Sequence, residues 1–199
     1  MPRAAPGQRR QQILEALAHE LEISPGARIT TARLAAKLGV SEAALYRHFR
    51  SKAEMFEALL VFAEQTVFSL SHRIAGETVE LDVKLNRLAG LLLGFGERNP
   101  GICRLLMGDV LAGEQEALRA RVRQFFDRFE AELRAVLRVA DLADGVRGAA
   151  PASRIAALLA AQVEGRLARF VRSGFADAPT QHWDTDWQLL VRAVATAGA

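Results

Sequence analysis

Residues 29–52, ITTARLAAKLGVSEAALYRHFRSK, place hydroxyls, cations and aromatics at spacings suited to holding a nucleic-acid backbone and reading base edges. Thr30 and Thr31 stand where a side-chain oxygen caps a helix, and Leu34, Ala35 and Leu38 follow at helical spacing. Gly39 supplies a turn. Ser41 caps the next helix, whose inward face is Leu45 and Phe49, with Val40 closing the corner beneath them. Glu42, Ala43, Ala44, Tyr46, Arg47 and His48 are left to project outward. A helix held this way enters a major groove N-terminus first, with small residues near base edges and Tyr46, Arg47 and His48 near phosphates. Ser51 and Glu54 form a capping box for a further helix, whose free amides and Lys52 offer a phosphate anchor. The pattern predicts a DNA-binding helix-turn-helix using Arg9, Arg10, Thr30, Thr31, Arg33, Ser41, Ala43, Ala44, Tyr46, Arg47, His48 and Lys52.

The charge distribution agrees with that placement. Residues 1–52 hold nine Lys/Arg against four Asp/Glu, whereas the remainder of the 199-residue chain holds 17 against 19, so the positive field lies on the proposed DNA module. Arg3, Arg9 and Arg10 sit on or before the first helix, where they either follow the DNA backbone or enter a minor groove, or else keep a tail solvated. Half the residues are hydrophobic, enough for a real core. No apolar run reaches membrane-spanning length, and the N-terminal charges are not followed by the apolar stretch of a secretory signal. A single cysteine, Cys103, rules out an internal disulfide framework and fits a small buried thiol in a reducing, cytoplasmic setting.

The elements that must carry these groups read as helical throughout. A first helix covers about 8–22, with Ile13, Leu14, Leu17 and Leu21 on one face, and Ser24-Pro25-Gly26 ends it. After the two helices of the motif, a long fourth helix runs from Ser51 towards Gly76. A fifth covers about 82–98, and Asn99-Pro100 restarts the chain with Asn as cap and Pro at the first helical position. The sixth is short. The seventh is marked by Leu118, Val122, Phe125, Phe126, Phe129, Leu133, Val136 and Leu137. Residues 141–152 read as a loop, Pro151 opens an eighth helix, and a ninth follows Pro179-Thr180. The expected organisation is a DNA-binding domain at 1–54 and a helical domain at 55–199.

The last two helices look too apolar for a monomer surface. Either they close the core of one chain or they pair with a second copy through Leu159, Val163, Leu167, Phe170, Trp187 and Val191, and pairing is the expectation. A two-fold homodimer presents two recognition helices to grooves about 34 Å apart.

Catalysis finds little support. His19, His48, His72 and His182 are scattered without metal-ligand spacing, and the HWDTDW run at 182–187 spreads its polar residues around a helix beside two core tryptophans. Gly94-Phe95-Gly96 follows no strand and lacks the third glycine of a dinucleotide loop. No enzyme activity, cofactor or metal is expected.

Residues 8–56 resemble the DNA-binding domain of the TetR family. The runs LLLGFGERNPG at 91–101, RVRQFFDRFEAELRAVLR at 121–138 and RFVRSGF at 169–175 resemble the nucleoid occlusion factors of the SlmA type within it. The resemblance implies an all-α, TetR-like fold of about nine helices that binds palindromic chromosomal sites as a homodimer, with paired dimers on DNA. It also implies a nucleoid-associated regulator of cell division that captures the C-terminal tail of the tubulin-like protein FtsZ and hinders ring assembly. Carried onto this chain, the tail-binding residues are Phe62, Arg73, Leu91, Gly94, Arg98 and Asn99, in a groove between the fourth and fifth helices. Gly90, Gly94 and Gly96 each cost about 1 kcal/mol relative to alanine in a helix interior, so tight packing or peptide approach is their expected reason. The alternative is a transcriptional repressor released by a small ligand among helices 5–8, where Gln162 and Glu164 are the few polar groups available.

Overall fold

In the computed structural model, the described residues are 6–24, 29–111, 116–144 and 151–196, with backbone alone described for 6–7, 140–144 and 192–196. They form α1 (Pro6–Ile23), α2 (Thr31–Lys37), α3 (Glu42–Tyr46), α4 (Lys52–Ala75), α5 (Leu81–Arg98), α6 (Pro100–Leu106), α7 (Glu116–Asp144), α8 (Ala152–Arg172) and α9 (Trp183–Thr196), with no strand among them. Arg3, Pro25, Gly26 and the segment around Gly145 lie outside the described residues.

Local chemistry sets most boundaries. Thr30 caps α2 by accepting from the Arg33 amide, and Ser41 caps α3 by accepting from the Ala44 amide, each at 3.3 Å. Gly39, at φ 64, ends α2 while its amide reaches Ala36 O and the Val40 amide reaches Ala35 O, so that two terminal carbonyls of the helix are satisfied. The Ser51 hydroxyl accepts from the Glu54 amide, and the Glu54 carboxylate reaches one residue beyond the cap to take the Arg50 amide at 2.6 Å. Two expectations need correction. Asn99 precedes Pro100 at the start of α6, but its side chain makes no capping hydrogen bond. Residues 141–144, expected in a loop, extend α7, whose alternation of apolar and charged residues sustains the helix for 29 residues.

The chain divides into two compact units, Met1–Ala63 with Asn99–Val122, and Glu64–Arg98 with Arg123–Ala199. The first thus extends beyond the expected DNA-binding domain 1–54, into the start of α4 and into α6, which packs on α1. Two residues explain that pairing. A Cβ at Gly101 would overlap the carbonyl oxygen of Ala18, so the helices approach closely only with glycine there. Arg104, 2% exposed, donates to Leu21 O at 3.0 Å and Ser24 O at 2.6 Å and pairs with Asp109. It thereby satisfies orphan carbonyls at the C-terminus of α1, where a cation is also favoured by the helix dipole. Ile13, Leu17 and Leu21 of α1, Leu34, Leu45, Phe49, Phe56 and Ile102 complete this core. Cys103 is buried there, and desolvation pushes its thiol up to about 12.

In the second unit α5 packs on α8 and α9. Phe68 meets Phe125 at 5.1 Å, and the Trp183 indole donates to Asn86 Oδ1 at 2.7 Å, fixing the start of α9 against α5. Thr180 bonds Glu97. The C-terminus of α8 closes through Gly174, at φ 63, with the Phe175 amide on Phe170 O and the two rings 5.1 Å apart. Leu159, Val163, Leu167, Phe170 and Trp187 are buried within the chain itself, and Val191 is half-buried. Of the two roles open to those faces, closing the core of one chain is the one the structure assigns. Leu158 of α8 and Leu189 of α9 point outward instead, 65% and 59% exposed.

The glycines separate by what a Cβ would meet. At Gly90 the nearest atom would be Trp183 Nε1 at an ordinary 3.7 Å. Gly101→Ala should therefore lose about 3 kcal/mol of stability through overpacking, whereas Gly90→Ala should be neutral or gain up to about 1 kcal/mol from helix propensity. Urea titrations of the two variants check the contrast, and equal effects would contradict the α1–α6 geometry.

Candidate nucleic-acid interface

The short helix α3 carries the expected groove-facing residues in the first unit, and α1 and α2 hold it. Leu45 and Phe49 anchor its inner side, with 0% and 1% exposure. Arg10 of α1 secures its far end: the guanidinium donates to His48 O at 2.7 Å, lies 4.0 Å over the Phe49 ring and pairs with Glu54 at 3.6 Å. On the near side, Thr31 donates its hydroxyl proton to Glu42 at 2.6 Å and accepts from the Tyr46 hydroxyl at 3.3 Å.

The second helix of the motif is fixed to α1 by charge. Glu20, 3% exposed, faces Arg33 at 2.7 Å and Lys37 at 2.8 Å, and Arg33 also donates to Ser24 Oγ at 2.7 Å. A carboxylate this buried is tolerated because two cations from the next helix meet it. Lys52 donates to Ile29 O at 3.3 Å, tying the start of α4 to the segment before α2.

The residues expected to bind DNA therefore fall into two sets. Ala43, Tyr46 and Arg47 are exposed on α3 and at its C-cap, beside exposed Thr30 and Ser41 and half-buried Thr31, Ala44 and His48. Arg10, Arg33 and Lys52 hold elements of the unit together, and Arg9 bonds Gln12 within α1 at 3.2 Å. Sequence reasoning missed Glu20 and Arg104, whose partners lie far along the chain. The available signal was Arg33 and Lys37 at i, i+4, bordering an apolar face.

Of the expected tail-binding residues, Arg73, Leu91, Gly94 and Arg98 belong to the second unit and Phe62 and Asn99 to the first. Phe62 is 44% exposed and Arg73 and Arg98 are exposed. The structure brings Gly94 and Arg98 together: a Cβ at Gly94 would lie 3.1 Å from Arg98 Nη1, so the glycine gives the guanidinium room over its own helix. Gln162 lines an open cleft of about 390 Å³ in the second unit, with Arg166, Arg169, Asp177, His182 and Asp186. Arg166 is committed there to Pro179 O, Gln181 O and Asp186, and Arg169 to Asp177. Glu164 lies outside that lining; burial, then Glu130 and Asp127, push its carboxyl up.

Residues 13–59 match the family described as bacterial regulatory proteins, tetR family, and residues 79–195 match an SlmA-like family described as tetracyclin repressor-like, C-terminal domain. The nucleoid occlusion factor SlmA of Marinomonas sp. (strain MWYL1) is 50% identical over 184 residues, 92% of this chain and 93% of that protein. That of Marinobacter nauticus (strain ATCC 700491 / DSM 11845 / VT8) is 50% identical over 186 residues, 94% and 95% of the two chains. Among solved structures, the fatty acid degradation regulator FadR of Bacillus halodurans aligns with a TM-score of 0.77 at 13% identity, covering 96% of each chain. The MbdR regulator of Azoarcus sp. CIB also aligns at 0.77, with 17% identity over 94% of this chain and 97% of its own. At these identities the structural likeness speaks for the fold alone.

The two sets of cations should separate in solution. Arg47→Ala should lower the salt slope of DNA binding by about one per protomer, as a lost phosphate contact does. Arg10→Met should weaken binding and leave the slope unchanged. Fluorescence anisotropy across a salt series measures both, and a slope that falls with Arg10→Met would return that residue to the phosphate-contacting set.

Proposed function

The chain belongs to the TetR family, among the SlmA nucleoid occlusion factors, and from that premise we propose that it binds palindromic chromosomal sites as a homodimer and there captures the C-terminal tail of FtsZ. Residues 1–54 carry the DNA contacts, and 55–199 carry the dimer and partner surfaces. The protein acts in the cytoplasm, on the nucleoid, without a cofactor. None of the described helices is long and apolar enough to cross a membrane.

The observation that carries this reading is identity of about half the positions across more than nine-tenths of the chain, spanning the helix-turn-helix and the helical region together. A repressor that shared only the DNA-binding module would not retain the likeness through 79–195. Physical features support each part. The positive charge lies with the helix-turn-helix, which favours approach to DNA. At the end of α5, exposed Arg98 offers a guanidinium to an acidic or carboxylate-terminated peptide, with half-buried Leu91 for apolar contact.

The dimer surface is reassigned to the outward face of α8. Ala157, Leu158, Ala161 and Gly165 are exposed there, and Leu189 is exposed on α9. Small side chains at i, i+4 let a second helix approach closely, with Leu158 as the apolar anchor. In a palindrome-binding protein this surface governs DNA affinity through the spacing of the two recognition helices.

Sedimentation of FtsZ polymers, with and without a palindromic duplex selected by the protein from a random library, tests the reading. A DNA-dependent loss of polymer is expected, and no effect would reduce the function to that of a plain repressor. Arg98→Asp should abolish capture of a synthetic FtsZ tail peptide and spare DNA binding; persistent capture would refute the α5 surface. Leu158→Glu should give monomers in analytical ultracentrifugation and at least a tenfold loss of affinity for the palindrome, and an intact dimer would exclude the α8 face.

A further inference from the structure

Glu42 is the acidic residue at the start of a helix whose surroundings are otherwise built to meet a polyanion. Its exposed carboxylate would be repelled by phosphates, so its place on the groove-facing side calls for a compensating donor. The α3 dipole favours an acid there but does not explain how this one is held. Thr31 has one hydroxyl proton, and it goes to Glu42 Oε2 at 2.6 Å; the Thr31 oxygen in turn accepts from Tyr46 at 3.3 Å. The chain of hydroxyls ties the last residue of α3, the first residue of α2 and the carboxylate into one relay. Glu42 Oε1 keeps its acceptor capacity, having no hydrogen-bond partner among the described residues. Ala43 and Ala44 follow it with minimal bulk, so a base edge can approach.

Building on the DNA-binding reading, the geometry points to Glu42 as a specificity-determining residue that accepts from the exocyclic N4 amine of a cytosine in each half-site, with Thr31 and Tyr46 as its positioning residues. The major-groove edges decide among bases. Cytosine presents an amine without an adjacent acceptor, whereas adenine places N7 beside its amine, and thymine and guanine present carbonyl oxygens that repel a carboxylate. The hydroxyl relay limits the rotamers of Glu42 before binding, so less side-chain freedom is lost on contact. Tyr46 and Thr31 thus act on sequence choice as well as on backbone contact.

The test is selection from a randomised duplex library by the full-length protein, by Glu42→Gln and by Thr31→Val. The unaltered protein should select a palindrome with cytosine at one position per half-site. Glu42→Gln should lose about tenfold of that preference, shifting towards adenine, whose N6 and N7 suit an amide, while other positions keep their bases. Thr31→Val should flatten the same position without changing which base leads. Glu42→Asp retains the charge at the helix start and withdraws its oxygens, so it should also lose the cytosine preference while melting as the unaltered protein does. A role confined to helix stability would lower the melting temperature of Glu42→Gln and leave every selected base unchanged, and that result overturns the assignment. Failure of the unaltered protein to select any sequence would instead overturn the DNA-binding reading on which the assignment rests.

Discussion

A buried guanidinium holds the first unit together. Arg104 leaves water almost completely, which is tolerable only because two carbonyls at the end of α1 and the carboxylate of Asp109 replace its hydration. Those carbonyls need donors because a helix cannot satisfy its own last turn. Gly101, three residues earlier, lets α6 come close enough for the contact to form. From α1 the constraint passes outward: Glu20 holds α2 through Arg33 and Lys37, and Arg10 holds the end of α3. The orientation of α3 thus depends on α1 and, through it, on α6.

This arrangement divides the positive charge of the N-terminal region by role. Cations that bond inward set the angle between elements, whereas those that face solvent are available to phosphates. The distinction matters for affinity, because counterion release counts only cations that reach the backbone. It also accounts for the concentration of hydroxyls around α3. Thr30 and Ser41 satisfy helix amides, and Thr31 and Tyr46 organise a carboxylate, so each performs a local task before any ligand arrives.

In the second unit the same economy appears in apolar form. The large apolar residues of α8 face α5 and the unit's own core, leaving Leu158, two alanines and a glycine outside beside the helix's charged residues. A helix with Leu159, Val163 and Leu167 on one side and Leu158 with Ala161 on another carries two apolar sides between its charged residues, and periodicity alone does not say which of them meets a second chain. The glycines of α5 divide similarly: Gly94 accommodates Arg98, whereas Gly90 meets the Trp183 edge at ordinary contact distance.

The sequence by itself determined the helical class, the caps at Ser41 and Ser51, the turn at Gly39 and the apolar faces of the helices other than α8, and it narrowed the cap of α2 to Thr30 or Thr31. These follow from interactions within three or four residues, where spacing along the chain is also distance in space. It also identified the buried thiol and, through family likeness, the nucleoid occlusion branch. Tertiary structure decided which side of α8 is core, that Gly101 permits the α1–α6 crossing, that Arg10 and Arg33 bond inward, and that Glu42 stands at the end of a hydroxyl relay. Each of those pairs residues separated by many positions, such as Arg10 with His48 or Arg104 with Leu21. A charged or small residue has the same local signature whether it meets solvent, a partner or another helix, and only packing distinguishes them.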